Sequence, residues 1–228
     1  MKRFLVPLTV IFCVCNTACS VPQHRIYPEH THIKNTNLSV TDILHNDFDI
    51  VKRMLYLLGK ATYCLENGKP VSKGNFQDLI KIISEFSDKH HQEKEDKVLF
   101  PALKVKNDGE KKDFLGRLLM EHVSARDAIR NLTSALVNFD QGKKARRKIA
   151  KIAHSYIKQM EKHIEMEEKI LFPWINKVLT ADEQAMFIKK FEDMEKEDIA
   201  NGVHEKYSAM IEMLEKQLEI SMGNVQTL

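Results

Sequence analysis

Apolar residues recur at helical spacing through most of the chain beyond Val40. Phe48, Val51, Leu55 and Leu58 fall at i, i+3, i+7 and i+10, which is one face of a helix running to about Cys64. His45, one turn before Phe48, shares that face. ENGKPVSKGN (66–75) reads as a loop, and Asn75 is the candidate N-cap of a second helix carrying Leu79, Ile82, Ile83 and Phe86. After KNDGE (106–110), a third stripe holds Phe114, Leu118, His122, Ala125, Ile129, Leu132 and Leu136. NFDQG (138–142) is the next turn, and a fourth stripe follows with Ile149, Ile152, Tyr156, Met160, His163 and Glu167. Thr180-Ala-Asp-Glu183 has the pattern of a capping box opening a fifth helix, and Gly202 separates that helix from a sixth over 203–220.

Four amphipathic helices joined by short polar loops predict an all-α fold, an up-down-up-down four-helix bundle, because short connections make neighbours antiparallel. The two additional C-terminal helices then cover its end or side. The bundle is placed at 40–178 and the helical extension at 179–228. Residues 21–39 are polar, hold two prolines and show no period, so they read as an arm or tether.

Composition narrows the class. Hydrophobic residues make up 43% and charged residues 29% of the 228 positions, with only 8 Gly and 6 Pro, as suits a helix-rich globular protein. The net charge of +3 gives little reason to expect nucleic acid as a partner.

Residues 1–20, MKRFLVPLTVIFCVCNTACS, pair a basic start with an apolar run and then small residues, the pattern of an export signal. Cleavage after Ser20 and cleavage before Cys19 are both open. The second would leave a lipidated Cys19 as a membrane attachment. Either way the expected location is outside the cytoplasm, periplasmic or lipid-anchored at the cell envelope. Of the four cysteines, Cys13, Cys15 and Cys19 lie in this segment, so no disulfide framework is expected, and Cys64 reads as a small buried residue.

One phrase occurs twice. HHQEKEDKVLFPAL (90–103) and KHIEMEEKILFPWI (162–175) share a histidine, a glutamate four residues on, and Leu-Phe-Pro, all at a constant offset of 72. Residues four apart on an α-helix differ by about 40° in direction, so each His/Glu pair can reach toward one point. If the second and fourth helices are diagonal in the bundle, Glu95 and Glu167 face each other across the core and can bridge metal ions. A lone HxxxE is often a surface ion pair. Two copies on core-facing stripes, with His122 on the helix between them, are harder to explain without an ion, since buried charges need partners. The candidate ligands are His45, His91, Glu95, His122, His163 and Glu167. Imidazole with carboxylate suits iron or manganese better than magnesium, and zinc stays open.

These residues resemble the hemerythrin-like, HHE cation-binding, domain. HxxxE followed by Leu-Phe-Pro on helices two and four, and Glu121-His122 on helix three, carry the resemblance. It implies a non-haem, carboxylate-bridged centre of two Fe ions, with Mn or Zn as lesser candidates, that binds O2 or a related ligand such as NO. A di-iron enzyme acting on peroxide or NO, or an iron-handling or iron-donating protein, is the alternative. A ligand-binding role is favoured over an enzymatic one.

Two departures stand out. Oxygen carriers of this family have a second histidine four residues after the one on helix three, where this chain has Arg126. On helix one, bacterial members commonly have Glu-His shortly before a Lys-Arg pair. Here Asp47 and Phe48 stand nearest that place, ahead of Lys52-Arg53, and His45 lies one turn earlier.

Overall fold

The computed structural model describes residues 38–106, 110–200 and 203–222. Every regular element among them is helical. The export segment, the arm up to residue 37 and the expected break at Gly202 lie outside the described residues.

Helix α1 spans Val40–Glu66. Ser39 opens it with a capping box, its hydroxyl accepting from the Asp42 N–H while the Asp42 carboxylate accepts from the Ser39 N–H. At the other end Gly68 takes φ +65°, and the Lys69 N–H returns to the Cys64 carbonyl at 2.9 Å, a left-handed closing turn that glycine adopts without strain. The sequence predicts one buried face, yet α1 also buries Ile50, Met54, Leu57 and Ala61. The physical reason is its central position: α1 packs on α5 (Lys143–Met166) and also on α8 (Val203–Met222) and α7 (Ala181–Ala200). Arg53 makes a two-pronged contact with Glu215 of α8 at 3.0 Å, fixing that helix along the outer side of α1.

The second rod is a composite. It begins as α2 (Lys73–Ile82), widens into the π-helical segments π1 (Ile83–Gln92) and π2 (Glu95–Leu99), and ends as α3 (Phe100–Val105). Its N-cap is Ser72 rather than Asn75, which sits at the third helical position and pairs reciprocally with Ser72. The fourth rod repeats the plan, with α5 followed by π3 (Glu167–Leu171) and α6 (Phe172–Val178). Both short π segments end just ahead of Phe-Pro. There the Phe100 N–H reaches back to the Glu95 carbonyl and the Phe172 N–H to the Glu167 carbonyl. A proline cannot donate and crowds the carbonyl four residues back, so a widened turn is a local answer to Pro101 and Pro173. It also means that five residues advance the helix roughly as four would, which brings Phe100 near the face of Glu95 and Phe172 near that of Glu167.

Helix α4 (Glu110–Leu136) is the third rod, and its whole predicted stripe from Phe114 to Leu136 is buried. α1 packs on the second rod and on α5, and α4 does the same, so each of these two helices lies between the composite rods. α7 opens with the predicted box, the Thr180 N–H donating to Glu183 at 2.9 Å. No helix among the described residues is long and apolar enough to cross a membrane.

Candidate metal centre

Four side chains from three rods meet in the core: Glu95 at the start of π2, His122 on α4, and His163 and Glu167 at the junction of α5 and π3. One ligand-type atom from each lies within 4.8 Å of the others, and all four residues are buried. The Nε2 atoms of His122 and His163 are 3.0 Å apart. His163 Nε2 is 2.8 Å from Glu167 Oε1, and His122 Nε2 is 3.4 Å from Glu95 Oε2. His91 stands on the opposite side, its Nε2 3.7 Å from Glu95 and 3.9 Å from Glu167.

The outer edges of the three rings are held by acids. His91 Nδ1 is 3.2 Å from Asp47, His122 Nδ1 2.7 Å from Asp96, and His163 Nδ1 2.8 Å from Glu121. Each carboxylate accepts a hydrogen bond from Nδ1–H and leaves Nε2 as the inward atom, the arrangement that orients imidazoles toward a cation. In contrast, both oxygens of Glu95, both of Glu167 and the Nε2 of His91 have no hydrogen-bond partner. Buried carboxylates left so are costly.

The donors fit a metal ion. Two atoms each about 2.1 Å from one ion, at right angles, would be about 3.0 Å apart, as the two imidazole nitrogens are. Without an ion, protons take its place. Burial pulls His91 down, but the charge of Glu95 and the bond to Asp47 raise it to about 10. His163 is likewise raised to about 10, the charge of Glu167 and the bond to Glu121 outweighing burial. Burial and the negative charge of Glu167 push Glu95 up to about 7. Burial acts upward on Glu167 too, but His163 and its neighbours outweigh it and hold that carboxyl well below the usual range.

His45 is not brought to this cluster. Its side chain is 53% exposed on the surface, with Nδ1 3.6 Å from Glu168. Phe48, one turn further along α1, fills the interior instead, its ring centroid 4.7 Å from His91 and 5.5 Å from Phe172. Asp47 is no substitute ligand, because it faces the outer nitrogen of His91 and is bound at 2.8 Å by Lys94.

Lys94 is itself 1% exposed and also meets Glu195 of α7 at 2.5 Å, while Glu195 lies 3.2 Å from His90. Burial alone would raise Asp47, but Lys94 and His91 hold it well below the usual carboxylate range. Asp96, Glu121 and the Lys94 network escaped the sequence reading of the site. Glu121 stood next to His122 in the recognised motif, and Asp96 follows Glu95, but nothing local says which ring either would meet. Beside Asp96, a cavity of about 110 Å³ is lined in part by Ser87, Asp88, Gln92, Arg126 and Tyr156.

A helical bundle whose core gathers histidines and glutamates able to hold a metal defines a cation-binding class of protein. The family model of the hemerythrin HHE cation-binding domain matches residues 40–175, and the chain belongs to that family. Among curated proteins it is similar to an uncharacterised protein of Mycobacterium bovis and to others of Mycobacterium tuberculosis. Each is 24% identical over 196 residues, which cover 85% of this chain and 75% of the relative. No solved structure matches it.

Proposed function

We propose that the protein is a non-haem iron protein whose centre binds O2 or a related small ligand such as NO. The observation that carries this reading is the inward set of three imidazole Nε2 atoms facing two glutamates whose four oxygens have no hydrogen-bond partner. His91, Glu95, His122, His163 and Glu167 would hold the iron, and Glu95 and Glu167, lying between the histidines, would bridge two ions. Bound iron would supply the electrons and open coordination positions that O2 or NO requires. The chain's own contribution is to orient the donors through Asp47, Asp96 and Glu121, and to keep bulk water out. Phe48, Phe100, Phe172 and Met160, all buried, give the surroundings an apolar character that favours a small neutral ligand over a charged substrate.

The reading includes an up-down-up-down order of the four rods, for which the short connections speak, and export with a location at the cell envelope, for which the first twenty residues speak. Anaerobic purification of the mature chain, metal analysis and absorption spectra with O2, NO and peroxide test it. Bound iron with spectral changes that reverse on removing O2 or NO supports ligand binding. Consumption of peroxide or NO over many cycles would make it an enzyme, and absence of bound iron after loading would refute the reading.

A further inference from the structure

The two HxxxE phrases make matching contacts with α1 and α4, apart from one position. Glu121 of α4 holds the outer nitrogen of His163, and Asp47 of α1 holds that of His91. Four residues after His122, Arg126 reaches Asp96 at 3.4 Å, while four residues after Phe48, Lys52 reaches Glu168 at 2.6 Å. Asp96 and Glu168 are themselves equivalent at the offset of 72. The rings agree as well: His122 stacks on Phe100 at 5.9 Å and 15°, and Phe48 stacks on Phe172 at 5.5 Å and 14°. Asp47-Phe48 is therefore the counterpart of Glu121-His122, and Phe48 occupies the place of the fourth inward histidine. His45, one turn earlier, is excluded from that place by register.

Resting on the metal-binding reading above, we propose that the two halves of the centre bind metal unequally. An ion held by His122, His163 and the two glutamates is retained, while an ion on the His91 side, with no donor from α1, is weakly held and exchanges. The first half offers two imidazoles 3.0 Å apart with both carboxylates in reach. The second offers His91 and shared carboxylate oxygens at 3.7 and 3.9 Å, beneath a phenyl ring. Loss of an outer partner alone weakens metal binding roughly 10–100-fold, so absence of a direct ligand should cost at least as much.

Anaerobic titration of the metal-stripped protein with Fe(II), read by calorimetry and by metal analysis after desalting, tests this. One ion per chain should survive desalting, and a second should bind at least about tenfold more weakly. His91→Ala should remove only the weak ion, and His163→Ala the retained one, with circular dichroism confirming that each variant is folded. Phe48→His should raise retention of the second ion toward that of the first. Two ions retained equally by the unaltered protein, or a Phe48→His variant that folds but retains no more metal, would overturn the proposal and leave the metal-binding reading standing. A folded protein that takes up no Fe(II) even in excess would overturn both.

Discussion

Replacing Glu95 with glutamine should stabilise the metal-free protein at alkaline pH. Glu95 is fully buried opposite Glu167, and its pKa is raised from 4.5 to about 7. At about 1.4 kcal/mol per pKa unit, that rise corresponds to about 3 kcal/mol spent on ionising Glu95 in the folded state. The attraction of His91, His122 and His163 is already included in it. The sign follows from the direction: a raised carboxyl favours folding below the unfolded value of 4.5, and this advantage is lost as pH rises through about 7. Glu95→Gln, which stays neutral, should therefore gain about 3 kcal/mol over the unaltered protein at pH 8 and less than about 1 kcal/mol at pH 5. Urea unfolding of both proteins in the presence of a chelator, at the two pH values, measures the difference. With metal added the order should invert, because the glutamine amide offers no anionic bridge. A metal-free variant that is less stable at pH 8, or shifted equally at both pH values, would refute the idea that the two carboxylates repel each other in the empty core.

His45→Ala should leave metal content unchanged and stability within about 0.5 kcal/mol, as for an ordinary surface site; loss of bound iron in that variant would contradict the placement of His45. Lys94→Met should cost about 3–5 kcal/mol in urea unfolding, since it strands Asp47 and Glu195 as buried charges, and a smaller loss would mean that water reaches them. His91 and His163, raised to about 10 in the metal-free fold, contribute stability fully present below 6.5 and lost as pH climbs toward 10. Metal must displace the protons they hold, so its affinity should rise between pH 6.5 and 8.5, with proton release detectable by calorimetry in buffers of different ionisation enthalpy.

The helices were legible because each rod buries a stripe at period 3.6, and the stripe of α4 matches residue for residue. His91, Glu95, His163 and Glu167 were legible from a repeat at constant offset. The wall formed by α1 was not. His45 and Phe48 are three residues apart on one face, so periodicity ranks them equally, and only the tertiary partners Glu168 and Phe172 distinguish them. Asp47, Asp96 and Glu121 share this difficulty, since each serves a ring on another rod. Nor did Asn75 reveal that it sits at the third helical position rather than the cap, because in a reciprocal box both members are small and polar. The π segments were hard to read: a widened turn shifts the buried register by one residue, as from Glu95 to Phe100, and a slip that small does not stand out in a short apolar pattern.

That widening is unevenly shared. The second rod is π-helical from Ile83 to Gln92 and again from Glu95 to Leu99, whereas the fourth is so only over Glu167–Leu171. π turns are rare and occur mostly as single-turn bulges inside α-helices, so a run as long as that of the second rod departs further from the regular α geometry. Amides along 83–99 are therefore expected to exchange with solvent deuterium sooner than those of α5, although His91 and Glu95 are as deeply buried as His163 and Glu167. Burial and rigidity part company here. The wall that carries His91 is the one expected to loosen first, and an ion would then come and go through transient opening of a helix rather than through the swing of a loop.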